Sequence, residues 1–125
     1  MKKTIHTDQA PRAIGPYSQA VAVGSFVFCS GQMPLDPATM KAPETLAGQA
    51  RQALENLKAV AQAAGCTLND AVRVGLFLAS MEDFAEVNQI YEEYITGKPA
   101  RTTVEVSRLP RDVRLEIDCI LYKES

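Results

Sequence analysis

Hydrophobic and polar positions along this chain follow two periods, and the change between them marks its elements. Residues 2–7 (KKTIHT), 17–23 (YSQAVAV) and 26–33 (FVFCSGQM) are short runs rich in β-branched, aromatic and small apolar side chains, and they predict strands. Gly24-Ser25 separates the second run from the third, and glycine first in a two-residue loop suits a type II′ hairpin turn. From Glu44 the period lengthens. Leu46, Ala50, Leu54, Leu57, Ala61 and Ala64 recur at three- and four-residue steps, the spacing of one helix face. Gly65 follows, where a helix C′ residue often takes positive φ. Residues 71–79 (AVRVGLFLA) predict a strand buried on both faces. Ser80 is a candidate N-cap for a second helix, with acids in its first turn and a stripe of Phe84, Val87, Tyr91 and Tyr94. Gly97 and Pro99 end that helix. Two adjacent strands close the chain, one from Arg101 and one over residues 113–121 (VRLEIDCIL), joined by the turn RLPRD.

The order β, ββ, α, β, α, ββ predicts an α+β fold: a mixed sheet with two amphipathic helices packed on one face. In the last strand Val113, Leu115, Ile117, Cys119 and Leu121 point under the helices, and Arg114, Glu116, Asp118, Ile120 and Tyr122 point away. That second face mixes charge with apolar area, which slightly favours an oligomer that covers it over a monomer that exposes it.

Composition excludes more than it assigns. The 125 residues, 46% of them hydrophobic, read as a single domain with one core. A net charge of −2 argues against a partner that presents phosphates in series. Cys29, Cys66 and Cys119 are odd in number and form no CxxC, as expected of reduced thiols in a cytoplasmic protein. The start, MKKTIHTDQAP, is basic without an apolar h-region, and no apolar stretch is long enough to span a membrane. A single histidine, His6, makes a Ser-His-Asp system and a His-based metal site improbable, and no glycine-rich phosphate loop occurs. Chemistry must run on Arg, Glu, Tyr, Ser, backbone amides and water, which suits hydrolysis of something already unstable.

Each candidate has a plain structural reading beside the functional one. Arg101, after Pro99 stiffens the segment, is either a surface arginine at a strand end or a two-pronged grip on a carboxylate. Glu116 is either a solvated strand residue or a held carboxylate that orients water or moves a proton. Gly15-Pro16 positions Tyr17 tightly, and Ser30-Gly31 offers a hydroxyl and an open backbone N–H at a strand end, or merely a bulge glycine. Asn88, beside the stripe of the second helix, satisfies a backbone group or reaches into a cleft.

AIGPYSQAV, FVFCSGQMPLDP, QARQALENLKAV, FAEVNQIYEEY, PART and RLPRDVRLEID, in that order, resemble the RidA/YjgF family of reactive intermediate/imine deaminases over essentially the whole chain. The resemblance implies a chorismate-mutase-like α+β fold, a homotrimer with a site at each subunit junction, and hydrolysis of 2-imino acids to 2-oxo acids and ammonia without metal or cofactor. It implies that Arg101 binds the substrate carboxylate and that Glu116 positions water or relays a proton. It places Tyr17, Ser30, Gly31, Asn88 and Thr103 around the pocket; Thr103 stands where many relatives carry a cysteine. The segment ITGK before Pro99 is shorter than its counterpart in relatives, where that loop helps wall the pocket. Two other functions stay open beside this one: a non-catalytic binder or sensor of small carboxylates such as 2-oxo acids, and, more weakly, an endoribonuclease or translation inhibitor.

Overall fold

Gly24, at φ 58°, reverses the chain between strands β2 (Ala20–Val23) and β3 (Phe26–Gln32), which pair antiparallel with Val23 opposite Phe26. Ser25 is not left-handed, so the turn has the type II′ signature. The computed structural model describes residues 1–124. A short β1 (Lys3–Ile5) edges the hairpin, and β4 (Ala71–Leu78), β5 (Ala100–Glu105) and β6 (Leu115–Tyr122) complete one six-stranded sheet in the order β1-β2-β3-β6-β4-β5. Only β4 and β5 run parallel, linked by a crossover through helix α2 (Phe84–Tyr94).

Helix α1 (Leu46–Ala63) starts where the Thr45 hydroxyl accepts the Gly48 N–H at 3.0 Å. It ends in a Schellman motif: Gly65 is at φ 79°, its N–H donates to Gln62 O, and the Cys66 N–H donates to Ala61 O. Its apolar stripe lies over β3 and β6 and buries Ala50, Leu54, Leu57 and Ala61 completely or nearly so. The Ser80 hydroxyl caps a 3-10 turn, Met81–Asp83, that leads into α2, and the α2 stripe also buries Ile90. Both helices therefore cover one face of the mixed sheet, as the pattern predicts.

The open face departs from expectation. Opposite β6, residues Arg73, Gly75 and Phe77 of β4 share the side of Ile120, Asp118 and Glu116, so β4 is buried under the helices only, with Arg73 exposed and Phe77 half-buried. The strand expected at 17–23 begins only at Ala20, which leaves Tyr17 on a loop, and β6 begins at Leu115 rather than Val113. The two closing strands are not adjacent. Strand β4 lies between β5 and β6, because the crossover sets β5 beside β4 and the antiparallel β6 takes β4's other edge.

Candidate functional site

Register decides which side chains can meet. Arg101 pairs with Val74 and Thr103 with Leu76, and Val74 and Leu76 are buried under the helices, so Arg101 and Thr103 point to the helix side of the sheet edge. Glu116 pairs with Phe77 on the open side. Arg101 and Glu116 of one chain thus stand on opposite faces, two strands apart. The strands that carry them are not neighbours, and the two side chains do not meet within a single chain.

Arg101 is half-buried and firmly held. Its guanidinium carbon lies 4.8 Å from the Tyr91 ring centre and 5.6 Å from that of Phe84, and Nη1 donates to Asn88 Oδ1 at 2.8 Å. Asn88 and Tyr91 come from α2, one helical turn apart, so the helix presents an amide and an aromatic face to one arginine. Burial pushes the Tyr91 phenol up, and Arg101 pulls it partly back. Arg101, Asn88, Tyr91 and Lys98 line an open cavity of about 730 Å³ at the sheet edge. The guanidinium uses one prong on Asn88 and keeps donors for an anion. Thr103 Oγ1 nearby is buried with no hydrogen-bond partner among the described residues.

On the open face Glu116 lies across β3. Strand β3 carries a bulge between Cys29 and Gln32 against β6, and a Cβ on Gly31 there would collide with the Glu116 carboxylate. Gly31 is thus the seat of Glu116. The carboxyl is half-buried and accepts no hydrogen bond among the described residues; burial, and then the negative charge of Asp118, push it above the usual carboxylate range. The Ser30 hydroxyl is engaged: it donates to Ser18 O, while the Ser30 N–H donates to Gln19 O. Ser30 thereby ties down the loop that carries Tyr17, whose hydroxyl accepts the Ile14 N–H at 3.3 Å. Buried Gln19 pins the same loop through Thr7, Ala10 and Pro11. Tyr17 and Gly31 line a second cavity, of about 340 Å³, together with Arg12 and Arg111.

The expected residues therefore divide into two groups. Arg101, Asn88 and Thr103 gather at the sheet edge on the helix side; Glu116, Gly31, Ser30 and Tyr17 gather around the bulge. Sequence reasoning did not single out Phe84 and Tyr91 as the platform under Arg101, though their three- and four-residue spacing from Asn88 is legible. It also missed Arg12 and Arg111. Arg111 and Asp112 both adopt left-handed backbone, at φ 59° and 55°, which no residue-type rule predicts for that pair.

Known proteins match the chain over nearly its whole length. A family model described as Endoribonuclease L-PSP matches residues 7–123. A RutC family protein of Pyrococcus horikoshii is 52% identical over 99% of this chain and 100% of its own length. A protein of Salmonella typhimurium named 2-iminobutanoate/2-iminopropanoate deaminase is 50% identical over 98% of this chain and 99% of its own. The crystal structure of a putative endoribonuclease from Thermotoga maritima, 47% identical and covered in full, superposes with a TM-score of 0.97.

Proposed function

The chain belongs to the RidA/YjgF family, whose model carries the description Endoribonuclease L-PSP, and from that premise we propose that it hydrolyses reactive 2-imino acids such as 2-iminobutanoate and 2-iminopropanoate to 2-oxo acids and ammonia. The observation that carries this reading is Arg101: a half-buried guanidinium, set on two aromatic rings and steadied by one amide, with donors left over at the mouth of a cavity. That is equipment for a small carboxylate. The imine carbon is already electrophilic. The protein has to hold the substrate, place a water and manage one proton, and such positioning accounts for roughly 7–11 kcal/mol in favourable cases.

The opposite-face arrangement supports an assembly as the active unit. Arg101, Asn88 and Thr103 of one copy face Glu116, Tyr17, Ser30 and Gly31 of the next, three copies closing a ring with three sites. The open sheet face supports this reading, with Phe26, Phe28 and Tyr122 exposed side by side at 42%, 46% and 38%. Arg101 takes the carboxylate; Glu116 serves the water and the departing nitrogen; Ser30 acts by holding the Tyr17 loop. A reaction generating 2-iminobutanoate from threonine with a pyridoxal-phosphate-dependent dehydratase tests this directly. The wild-type protein accelerates 2-oxobutanoate release and Arg101→Ala does not; full acceleration by Arg101→Ala refutes the reading.

One observation favours a second reading. A single chain holds the Arg101–Asn88 grip on the face opposite to Glu116. A copy acting alone would bind 2-oxo acids without turnover, and calorimetry with 2-oxobutanoate beside the turnover assay separates the two.

A further inference from the structure

Glu116 is not the only carboxylate set down on the open face. Asp118, two residues on, lies over β4 as Glu116 lies over β3. A Cβ on Gly75 would meet its carboxylate, and the Gly75 N–H donates to Asp118 Oδ1 at 3.0 Å. Two glycines, Gly31 and Gly75, thus admit two half-buried carboxylates on one face of one strand, from Cα atoms about 7 Å apart by the rise of an extended chain. Their surroundings differ. Burial pushes the Asp118 carboxyl up as well, but the Gly75 N–H and the field of Arg73 act against that rise. Glu116 has neither.

The other groups near Glu116 are committed or remote. Arg73 donates to Thr102 Oγ1 on β5 at 2.6 Å. Arg114, at the start of the strand, is engaged through two donors with Asp83. In the cavity beside Gly31, Arg111 donates to Met40 O; neither Arg12, Arg111 nor Tyr17 reaches Glu116 with a hydrogen bond. Phe77, directly across on β4, and Phe28 on β3 bring no charge. Within one chain, among the described residues, Asp118 is the charged group that bears on Glu116; in the assembly proposed above Arg101 of the neighbouring copy is the other, and it is engaged by the substrate carboxylate.

We infer that Asp118 is a positioning residue for Glu116: it remains the anion of the pair and keeps the proton on Glu116, so that Glu116 serves as the general acid toward the departing amine. The inference rests on the imine hydrolysis proposed above. Water adds to the imine carbon to give a carbinolamine. The C–N bond then breaks with its electron pair going to nitrogen, which takes the Glu116 proton. The carbinolamine hydroxyl gives up its proton as the carbonyl forms, and the Glu116 carboxylate recovers it. Glu116 ends as it began, and the products are a 2-oxo acid and ammonia. Pairs of acids whose environments push them apart divide such roles in this way.

Asp118→Asn tests it, because an asparagine oxygen still accepts the Gly75 N–H and only the charge is removed. Carboxyl-carbon NMR of glutamate-labelled protein follows the Glu116 titration, assigned by its disappearance in Glu116→Gln. The expected result is a midpoint for Glu116 that moves to lower pH in Asp118→Asn and stays near wild type in Asp118→Glu. In the turnover assay the alkaline limb of kcat/KM moves to lower pH in the same variant, with a several-fold loss above the midpoint. A Glu116 midpoint that is unmoved or raised in folded Asp118→Asn overturns the inference, as does an unmoved alkaline limb in an active enzyme. The titration needs no turnover, so a wild type without imine hydrolysis would sink the proposed activity while the coupling of the two acids would still be measured.

Discussion

At the residue scale the fold places one strong cation and one poorly solvated acid where neither would settle by chance. Arg101→Lys keeps the charge but loses the planar fork that spans Asn88 and a carboxylate, so kcat/KM falls with little change in thermal stability. Arg101→Ala removes the partner of a desolvated anion at a cost of about 3–5 kcal/mol, a loss of a hundredfold or more. Steady-state kinetics on enzymatically generated 2-iminobutanoate measures both. Glu116→Gln has the opposite profile. The Glu116 carboxyl is raised in the folded chain, so its contribution to stability is full below the ordinary carboxylate range and lost as pH climbs through the raised value. The glutamine variant is therefore more stable than wild type at neutral pH, and the difference closes as pH falls toward 4, while turnover is lost. A melting series across pH reads the sign. Arg101 and Glu116 could be named as candidates from residue type and neighbours. That Ser30 is consumed by Ser18, and that Gly31 exists to seat Glu116, were not legible, since both depend on a bulge that brings distant residues together.

At the element scale the periodic segments were legible because each is settled by its own residues. The α1 stripe, its Gly65 stop and the Gly24-Ser25 turn are local features, and the structure reproduces them. Thr45→Ala removes the hydroxyl that satisfies the Gly48 N–H and costs about 1 kcal/mol, read as a lowered denaturation midpoint with unchanged activity. Sheet order is a different kind of fact. The closing strands are consecutive in sequence, and consecutive strands usually pair. Here a parallel β4–α2–β5 unit occupies one edge of β4, and β6 enters between β3 and β4. Nothing in the TTVEV or LEIDCIL runs encodes that choice. It follows from competition among strands for the buried centre, which the almost continuous alternation of β6 wins: Leu115, Ile117, Cys119 and Leu121 are each at most 3% exposed. Cys29 and Cys119, opposite one another across this junction, are core residues with free thiols, and the neighbouring Cys29 thiol and burial push Cys119 far above the ordinary thiol range.

At the scale of the whole molecule one geometric fact separates the readings: Arg101 and Glu116 of one chain lie on opposite faces of the sheet. A site shared between copies has a consequence that a site within one copy lacks. Mix Arg101→Ala protein with Glu116→Gln protein, unfold, and refold the two together. Each preparation alone is inactive. In a ring assembled at random from equal amounts, a junction is intact when the Glu116→Gln copy supplies its Arg101 and the Arg101→Ala copy supplies its Glu116, which occurs at about a quarter of junctions. Activity returns to about that fraction of wild type in the mixture. If both residues served one site within a chain, every site would carry a defect and the mixture would stay dead. Phe28→Asp provides the complementary measurement. It sets a carboxylate among Phe26, Ile120 and Tyr122 on the open face, so burial of that face between copies becomes costly. Sedimentation then shows the variant as single chains with the Arg101 grip intact, able to bind 2-oxobutanoate weakly and unable to turn over the imine. A Phe28→Asp protein that is monomeric and fully active would show that one chain does the chemistry by itself, against the division of faces that the register imposes.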